Sequence, residues 1–262
     1  MFLSREGKTQ DLGNNQLIVV DELSRGAKVI AHRGHWKAPG AAQNSRASLK
    51  AALALKECYG SETDVWLTTD GHIMVNHDAS FNGVTIQTSA YGEVKDLTLS
   101  NGEKMPQLQD LLEIMAADDS GTKLIIEVKT HSSVVATCAC VDSVVSAVKA
   151  MGLEDKVEYI AFSYEACQEF VRKSPTAKVA YLNGDKSPQT LHDRGITGLD
   201  YTQAKTSDAY IKDAHALGMT VNVWTIDAND QIVYTNNRDI DYITTNYPES
   251  AIKVYRHYKE NR

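Results

Sequence analysis

The chain has 262 residues, 42% of them apolar and 23% charged, and a formal net charge of −7. That length can bury one large core, and α/β barrels commonly fill it as one domain. The acidic balance argues against a general nucleic-acid or anionic-membrane binder, which needs a basic face; an anionic substrate would need a local positive site.

In chain order, residues 1–27 read as an N-terminal extension or a plug for the bottom of a barrel. Residues 1–15 are polar and lack the apolar middle of a signal peptide. A cytoplasmic location is therefore expected for the chain as given, and a periplasmic or secreted one if a leader has been removed. No stretch approaches the ~20 apolar residues that span a bilayer, so no stable membrane insertion is expected. A first strand is predicted at 29–32 and a helix at 45–59, capped by Ser45 and closed by Gly60. A second strand follows at 62–67. Asp70-Gly71 then reads as a tight turn, from which 73–77 runs back as a short extended segment.

Further along, predicted helices at 108–117, 132–151, 164–173, 189–194, 207–217, 228–236 and 248–258 separate strands at 124–129, 158–162, 179–182, 198–201, 220–225 and 241–244. The helix at 132–151 would start at Ser132, carry Val135, Cys138, Val141 and Val145 on one stripe, and end at Gly152. Strands alternating with helices in this way predict parallel βα units. The fold expected is a closed (β/α)8 TIM barrel over residues 28–262, forming a single catalytic domain. The cysteines, Cys58, Cys138, Cys140 and Cys167, have no zinc-type spacing and read as buried reduced thiols in helices.

Side chains alternate along a strand. Glu62 and Asp64 therefore share a face, as do Glu127 and Lys129, and Asn222 and Trp224. Polar groups at the C-terminal ends of barrel strands are where catalytic groups sit in this architecture. Three carboxylates brought together repel unless protonated or bridged by a cation, and oxygen-only donors favour a hard ion such as Mg²⁺ or Ca²⁺. Arg33 and Lys129 would supply the positive charge for a phosphodiester, and His32 and His77 could move protons. Each residue alone has a bland reading: a solvated strand end for Glu62 and Asp64, a neutralising partner for Lys129, a core side chain for Trp224, an ordinary hydrogen-bonded imidazole for either histidine. Their joint placement at strand ends is what points to a site. His35 and His131 lie near enough in sequence to reach it but are not assigned to it.

The segments Ile30-Ala31-His32-Arg33-Gly34, Gln43-Asn44-Ser45, Glu62-Thr63-Asp64-Val65, Thr69-Asp70-Gly71 and His77-Asp78 resemble the signature of the glycerophosphodiester phosphodiesterase family. The resemblance continues through Met105-Pro106-Gln107-Leu108, Glu127-Val128-Lys129, Phe162-Ser163, Val223-Trp224-Thr225 and Asp241-Tyr242-Ile243-Thr244-Thr245-Asn246-Tyr247-Pro248, across roughly residues 28–250. It implies a TIM barrel that binds one divalent cation, Ca²⁺ or Mg²⁺, through Glu62, Asp64 and Glu127. It further implies His32 and His77 as the acid/base pair and Arg33 and Lys129 as phosphate-binding cations. The implied substrate is a small glycerophosphodiester, cleaved by attack of the glycerol 2-hydroxyl through a cyclic phosphate. Phe162 and Trp224 are candidates for the substrate wall. The alcohol head group, the native ion and the oligomeric state stay open.

Two positions depart from the family pattern. Gln43 stands where Glu is usual, before Asn44; it is expected to weaken a contact near the metal or to shift substrate preference. Asn246 stands where Asp is common and reads as a structural exchange. Competing readings are a phospholipase C- or D-like barrel, an amidohydrolase, and a degenerate phosphate-binding barrel. The first lacks a Trp/Leu-rich interfacial loop, the second would want His-x-His at the first strand, and the third rests on Gln43 alone.

Overall fold

A computed structural model of the chain describes residues 25–260 and, as backbone, residues 8–11 and 17–20. Strands β1 (Lys8–Asp11) and β2 (Leu17–Val20) pair antiparallel. The plug expected of residues 1–27 otherwise lies, up to residue 24, outside the described residues. β3 (Lys28–Ala31) and β4 (Cys58–Leu67) open the barrel. An excursion then adds β5 (Ile73–Val75), antiparallel to the end of β4, and the hairpin of β6 (Ser80–Phe81) and β7 (Val84–Thr85). The barrel resumes with β8 (Lys123–Val128), β9 (Val157–Ala161), β10 (Val179–Tyr181), β11 (Gly198–Thr202), β12 (Thr220–Trp224) and β13 (Tyr242–Thr245). Every neighbouring pair of barrel strands is parallel, and β13 pairs with β3 (Thr244 with Ile30), which closes the barrel. The fold is a TIM barrel.

Helices α1 (Arg46–Leu53), α2 (Tyr91–Val94), α3 (Leu108–Ala117), α4 (Val134–Ala150), α5 (Tyr164–Lys173), α6 (Pro188–His192), α7 (Asp208–Ala216), α8 (Asn229–Asn236) and α9 (Pro248–Glu260) connect the strands. Serine starts several of them. Ser45, Ser133, Ser163, Ser187 and Ser207 each accept a hydrogen bond from the backbone N–H three residues on, contacts worth about 1 kcal/mol each. Strand alternation divides the core. Val29, Ala31, Val65, Leu124, Ile126, Val128, Val221, Val223 and Ile243 face the helices, whereas Ile30, Ile125, Ile160, Leu182 and Tyr242 fill the barrel interior.

Three expectations need correction. The first helix stops at Leu53 rather than residue 59, and β4 begins at Cys58, so Cys58 is a buried strand residue and not a helical one. Gly60 does not close a helix. It lies inside β4, where a Cβ would stand 3.0 Å from Cγ1 of Ile125, so it makes room across the barrel interior. The buried stripe of α4 runs through Thr137, Val141, Val144, Val145 and Val148; Val135 is 80% exposed and Cys138 only half-buried. The helix starts one residue later than expected, at the Ser133 cap, and docks through a face rotated from the one read in the sequence. Among the described residues, no helix is long and apolar enough to cross a membrane.

Candidate active site

The excursion after β4 decides where His77 goes. β5 turns back along β4, pairing Val75 with Val65, and the backbone N–H of Asn76 donates to the Asp64 carbonyl at 3.0 Å. Trp66, Met74, Ile86, Val94 and Met105 pack into a separate apolar cluster beneath this segment. His77 is thereby returned to the end of the strand that carries Glu62 and Asp64. His32 and Arg33 directly follow β3, Lys129 follows β8, Phe162 follows β9, and Trp224 ends β12. All lie at the C-terminal mouth of the barrel. A cavity of about 120 Å³ there brings His32, His77, Arg33 and Lys129 together with Glu62 and Glu127, between apolar walls that include Phe162, Leu182 and Trp224. Phe162 and Trp224 meet edge to face, with ring centroids 5.6 Å apart.

The turn after β3 is forced open by two left-handed residues, Arg33 (φ 57°) and Gly34 (φ 77°). Only glycine fits at 34, because a Cβ would stand 2.6 Å from Cβ of Ser48. Arg33 is a non-glycine residue in that region, a conformation that costs on the order of 1–3 kcal/mol. Hydrogen bonds hold it. Its N–H donates to Glu62 Oε2 at 2.8 Å, its carbonyl accepts from Asn44 N–H at 3.0 Å, and Gly34 N–H donates to the Glu62 carbonyl at 3.0 Å.

Carboxylate oxygens of Glu62, Asp64 and Glu127 lie within 4.8 Å of one another, and all three residues are buried. Asp64 takes hydrogen bonds from Asn44 Nδ2 at 2.9 Å and Lys129 Nζ at 3.3 Å. Lys129 also pairs with Glu127 Oε1 at 2.8 Å. Oε1 of Glu62 is buried with no hydrogen-bond partner among the described residues. Burial first, then the neighbouring carboxylates, push both Glu62 and Glu127 above the usual carboxylate range. Burial works against the Lys129 charge, but Asp64 and Glu127 outweigh it and hold its pKa above the ordinary value. An orphaned buried carboxylate oxygen within an all-oxygen trio suits a hard divalent cation.

His32 is held by Asn246, whose Oδ1 lies 2.9 Å from Nδ1; burial, with help from Arg33, puts its pKa below the ordinary value. Nδ1 of His77 lies 2.7 Å from Oδ1 of exposed Asp78. His35 and His131 have other duties. His35 sits 3.3 Å from Glu249. Nδ1 of His131 donates to the Lys129 carbonyl at 2.7 Å, and its Nε2 accepts from Leu67 N–H at 3.0 Å, so both nitrogens are structural.

Two features were not drawn from the sequence. Asn246 is a neighbour of His32 rather than a purely structural exchange. Asp200, fully buried on β11, lines both the floor of the cavity and the barrel interior below it, and its Oδ1 has no hydrogen-bond partner among the described residues. An inward position on a predicted strand was the signal available for Asp200. Gln43 contacts Arg33, accepting from Nη1 at 2.7 Å, and is not bonded to the acidic trio.

A TIM barrel with carboxylates, imidazoles and cations gathered at its C-terminal mouth has the arrangement of a barrel enzyme's active site, and the family and relatives it matches give its class as phosphodiesterase. The model of the glycerophosphoryl diester phosphodiesterase family matches residues 32–250, and the chain belongs to that family. A curated glycerophosphodiester phosphodiesterase from Caldanaerobacter subterraneus subsp. tengcongensis is 25% identical over 256 residues, covering 87% of this chain and 97% of its own. The crystal structure of a glycerophosphodiester phosphodiesterase from Parabacteroides distasonis superposes with a TM-score of 0.86 at 41% identity, covering 89% of this chain and 98% of that one. A phosphodiesterase from Oleispira antarctica, solved with the product sn-glycerol-3-phosphate, shares the fold at 22% identity (TM-score 0.76, 88% of this chain and 97% of that one).

Proposed function

We propose that the chain hydrolyses small glycerophosphodiesters to glycerol 3-phosphate and an alcohol, with residues 28–262 acting as one catalytic domain. The observation that carries this reading is a single cavity in which two imidazoles, His32 and His77, face the cations Arg33 and Lys129 beside the acidic trio. Glu62, Asp64 and Glu127 would hold one divalent cation, Ca²⁺ or Mg²⁺. When bound, it would draw charge from a phosphoryl oxygen. Three carboxylates, one divalent ion and a phosphodiester sum to −2, which Arg33 and Lys129 balance.

The chain's own groups then do the proton work. The substrate's 2-hydroxyl oxygen forms a bond to phosphorus, and its proton passes to one histidine. The bond from phosphorus to the departing alkoxide breaks, and the other histidine supplies its proton. Water opens the resulting cyclic phosphate with the two histidines in exchanged roles, each positioned transfer being worth ~10²–10⁴ in rate. Arg33 Nε, which lies 3.9 Å from Asp64 and has no hydrogen-bond partner among the described residues, would donate to a phosphoryl oxygen. Phe162 and Trp224 give the substrate an apolar wall.

The test is turnover of glycerophosphoethanolamine, read as glycerol 3-phosphate released, with and without a chelator. Chelation should abolish release, and re-addition of a divalent cation should restore it. Absence of glycerol 3-phosphate with Ca²⁺ and with Mg²⁺ alike would refute the reading.

A further inference from the structure

We propose that Asn246, clamped by Asp227, is a positioning residue that fixes His32 as its Nδ1–H tautomer and leaves Nε2 as the proton acceptor of the site. The acceptor role rests on the phosphodiesterase reading; the tautomer does not.

The orientation of the Asn246 amide is fixed from two directions. Its Nδ2 lies 2.8 Å from Oδ2 of Asp227, a carboxylate oxygen that can only accept. Its Oδ1 lies 2.8 Å from Nε1 of Trp36, an indole N–H that can only donate. Oδ1 is therefore the oxygen. The same atom lies 2.9 Å from His32 Nδ1, so Nδ1 must carry the hydrogen. In a neutral imidazole the lone pair then falls on Nε2.

Asp227 is itself anchored. It accepts from the backbone N–H of Asn246 at 2.8 Å and from Thr245 Oγ1 at 3.2 Å. The two side chains form a matched pair. An amide at 246 can accept from Trp36 and His32 while donating to Asp227. A carboxylate at 246 could accept those two bonds but would have no N–H for Asp227, leaving two carboxylates face to face. Asparagine at this position therefore goes with aspartate at 227. His77 has a different partner: its Nδ1 lies 2.7 Å from Oδ1 of the exposed Asp78. On the phosphodiesterase reading, His32 with its lone pair on Nε2 takes the attacking hydroxyl's proton, and His77 is left as the donor to the departing alcohol.

The test combines variant kinetics with ¹⁵N histidine NMR of the Mg²⁺-loaded protein without substrate. In the parent, His32 should show a protonated Nδ1 and an unprotonated Nε2. Asn246→Asp should lower kcat by ~10–100-fold with KM little changed. Adding Asp227→Asn restores the match with the two roles swapped, and should recover most of kcat. Asn246→Leu should spread His32 over both tautomers. A parent His32 protonated at Nε2, or an Asn246→Leu protein with parental kcat and parental nitrogen signals, would overturn the inference. The nitrogen signals are read without substrate, so a His32 of the expected tautomer in a protein that turns over no diester would remove the functional reading alone.

Discussion

The terminal Nη1 of Arg33 donates to the amide oxygen of Gln43 at 2.7 Å. The partner is neutral, so on the proposed reading no carboxylate on this nitrogen competes with a substrate phosphoryl group. Gln43→Glu would place a carboxylate on the same nitrogen and compete with the phosphate. The pair is partly exposed and screened, so the expected effect is modest, a rise in KM of about 2–5-fold. Divalent-cation affinity should stay within about twofold, because Gln43 is bonded to Arg33 and not to the acidic trio. Steady-state kinetics beside a metal titration check this, and a large loss of metal affinity with unchanged KM would contradict it.

The acidic trio predicts proton release on metal binding. Burial and mutual repulsion raise Glu62 well above the usual carboxylate range and Glu127 to about 7, so without a cation Glu127 is partly protonated near neutrality. A divalent ion must displace those protons, so affinity should rise with pH and level off once both carboxyls have ionised. Calorimetric titrations of Ca²⁺ in two buffers of different ionisation enthalpy would read the proton count directly. Identical apparent enthalpies in the two buffers would count against the protonated resting state. Glu62→Gln removes one proposed ligand oxygen and should weaken binding far more than it alters folding.

His32 and His77 reach the cavity from different elements, His32 after β3 and His77 after β5. Neither makes part of the apolar core, so His32→Ala and His77→Ala should leave the circular dichroism spectrum and cooperative unfolding intact. Each should cost at least ~10² in turnover. Near-parental activity in His77→Ala would remove it from the acid/base pair.

Much of the barrel was legible because period-2 alternation recurs along its strands and serine caps start five of its helices. Leu124, Ile126 and Val128 face the helices as their alternation requires, and Ser163 and Ser207 cap the helices that the apolar pattern marks. Gly60 misled because glycine signals a helix end and a crowded strand interior with the same letter. The two histidines could be found since each lies in a loop just after a strand, and the acids since alternation puts Glu62 and Asp64 on one face of β4 and Glu127 near the end of β8. The partners that set their chemistry could not. Asn246 is 214 positions from His32, and no local pattern links a loop asparagine to a distant imidazole. Likewise, nothing in Gly198-Leu199-Asp200-Tyr201 separates a carboxyl sealed in the barrel from one at a solvated strand end.

Asp200 gives the most direct stability test. Burial raises its pKa from the ordinary 3.8 to about 8, while the hydrogen bond to Asn222 pulls the other way. Between those two values the folded protein retains a proton that the unfolded chain has lost. Stability at this residue is therefore greatest below the unfolded pKa and falls as pH rises, by about 1.4 kcal/mol per pH unit, until the folded carboxyl ionises. Asp200→Asn keeps the shape and removes the titration. Urea unfolding of the chelated protein at about pH 5 and about pH 7 should show the variant gaining on the parent by roughly 2–3 kcal/mol across that interval. The carboxyls of Glu62 and Glu127 titrate in both proteins, so to first order their contribution cancels in the difference. Parallel pH slopes for parent and variant would mean that Asp200 is ionised in the fold, and that the floor of the cavity carries a charge rather than a neutral carboxyl.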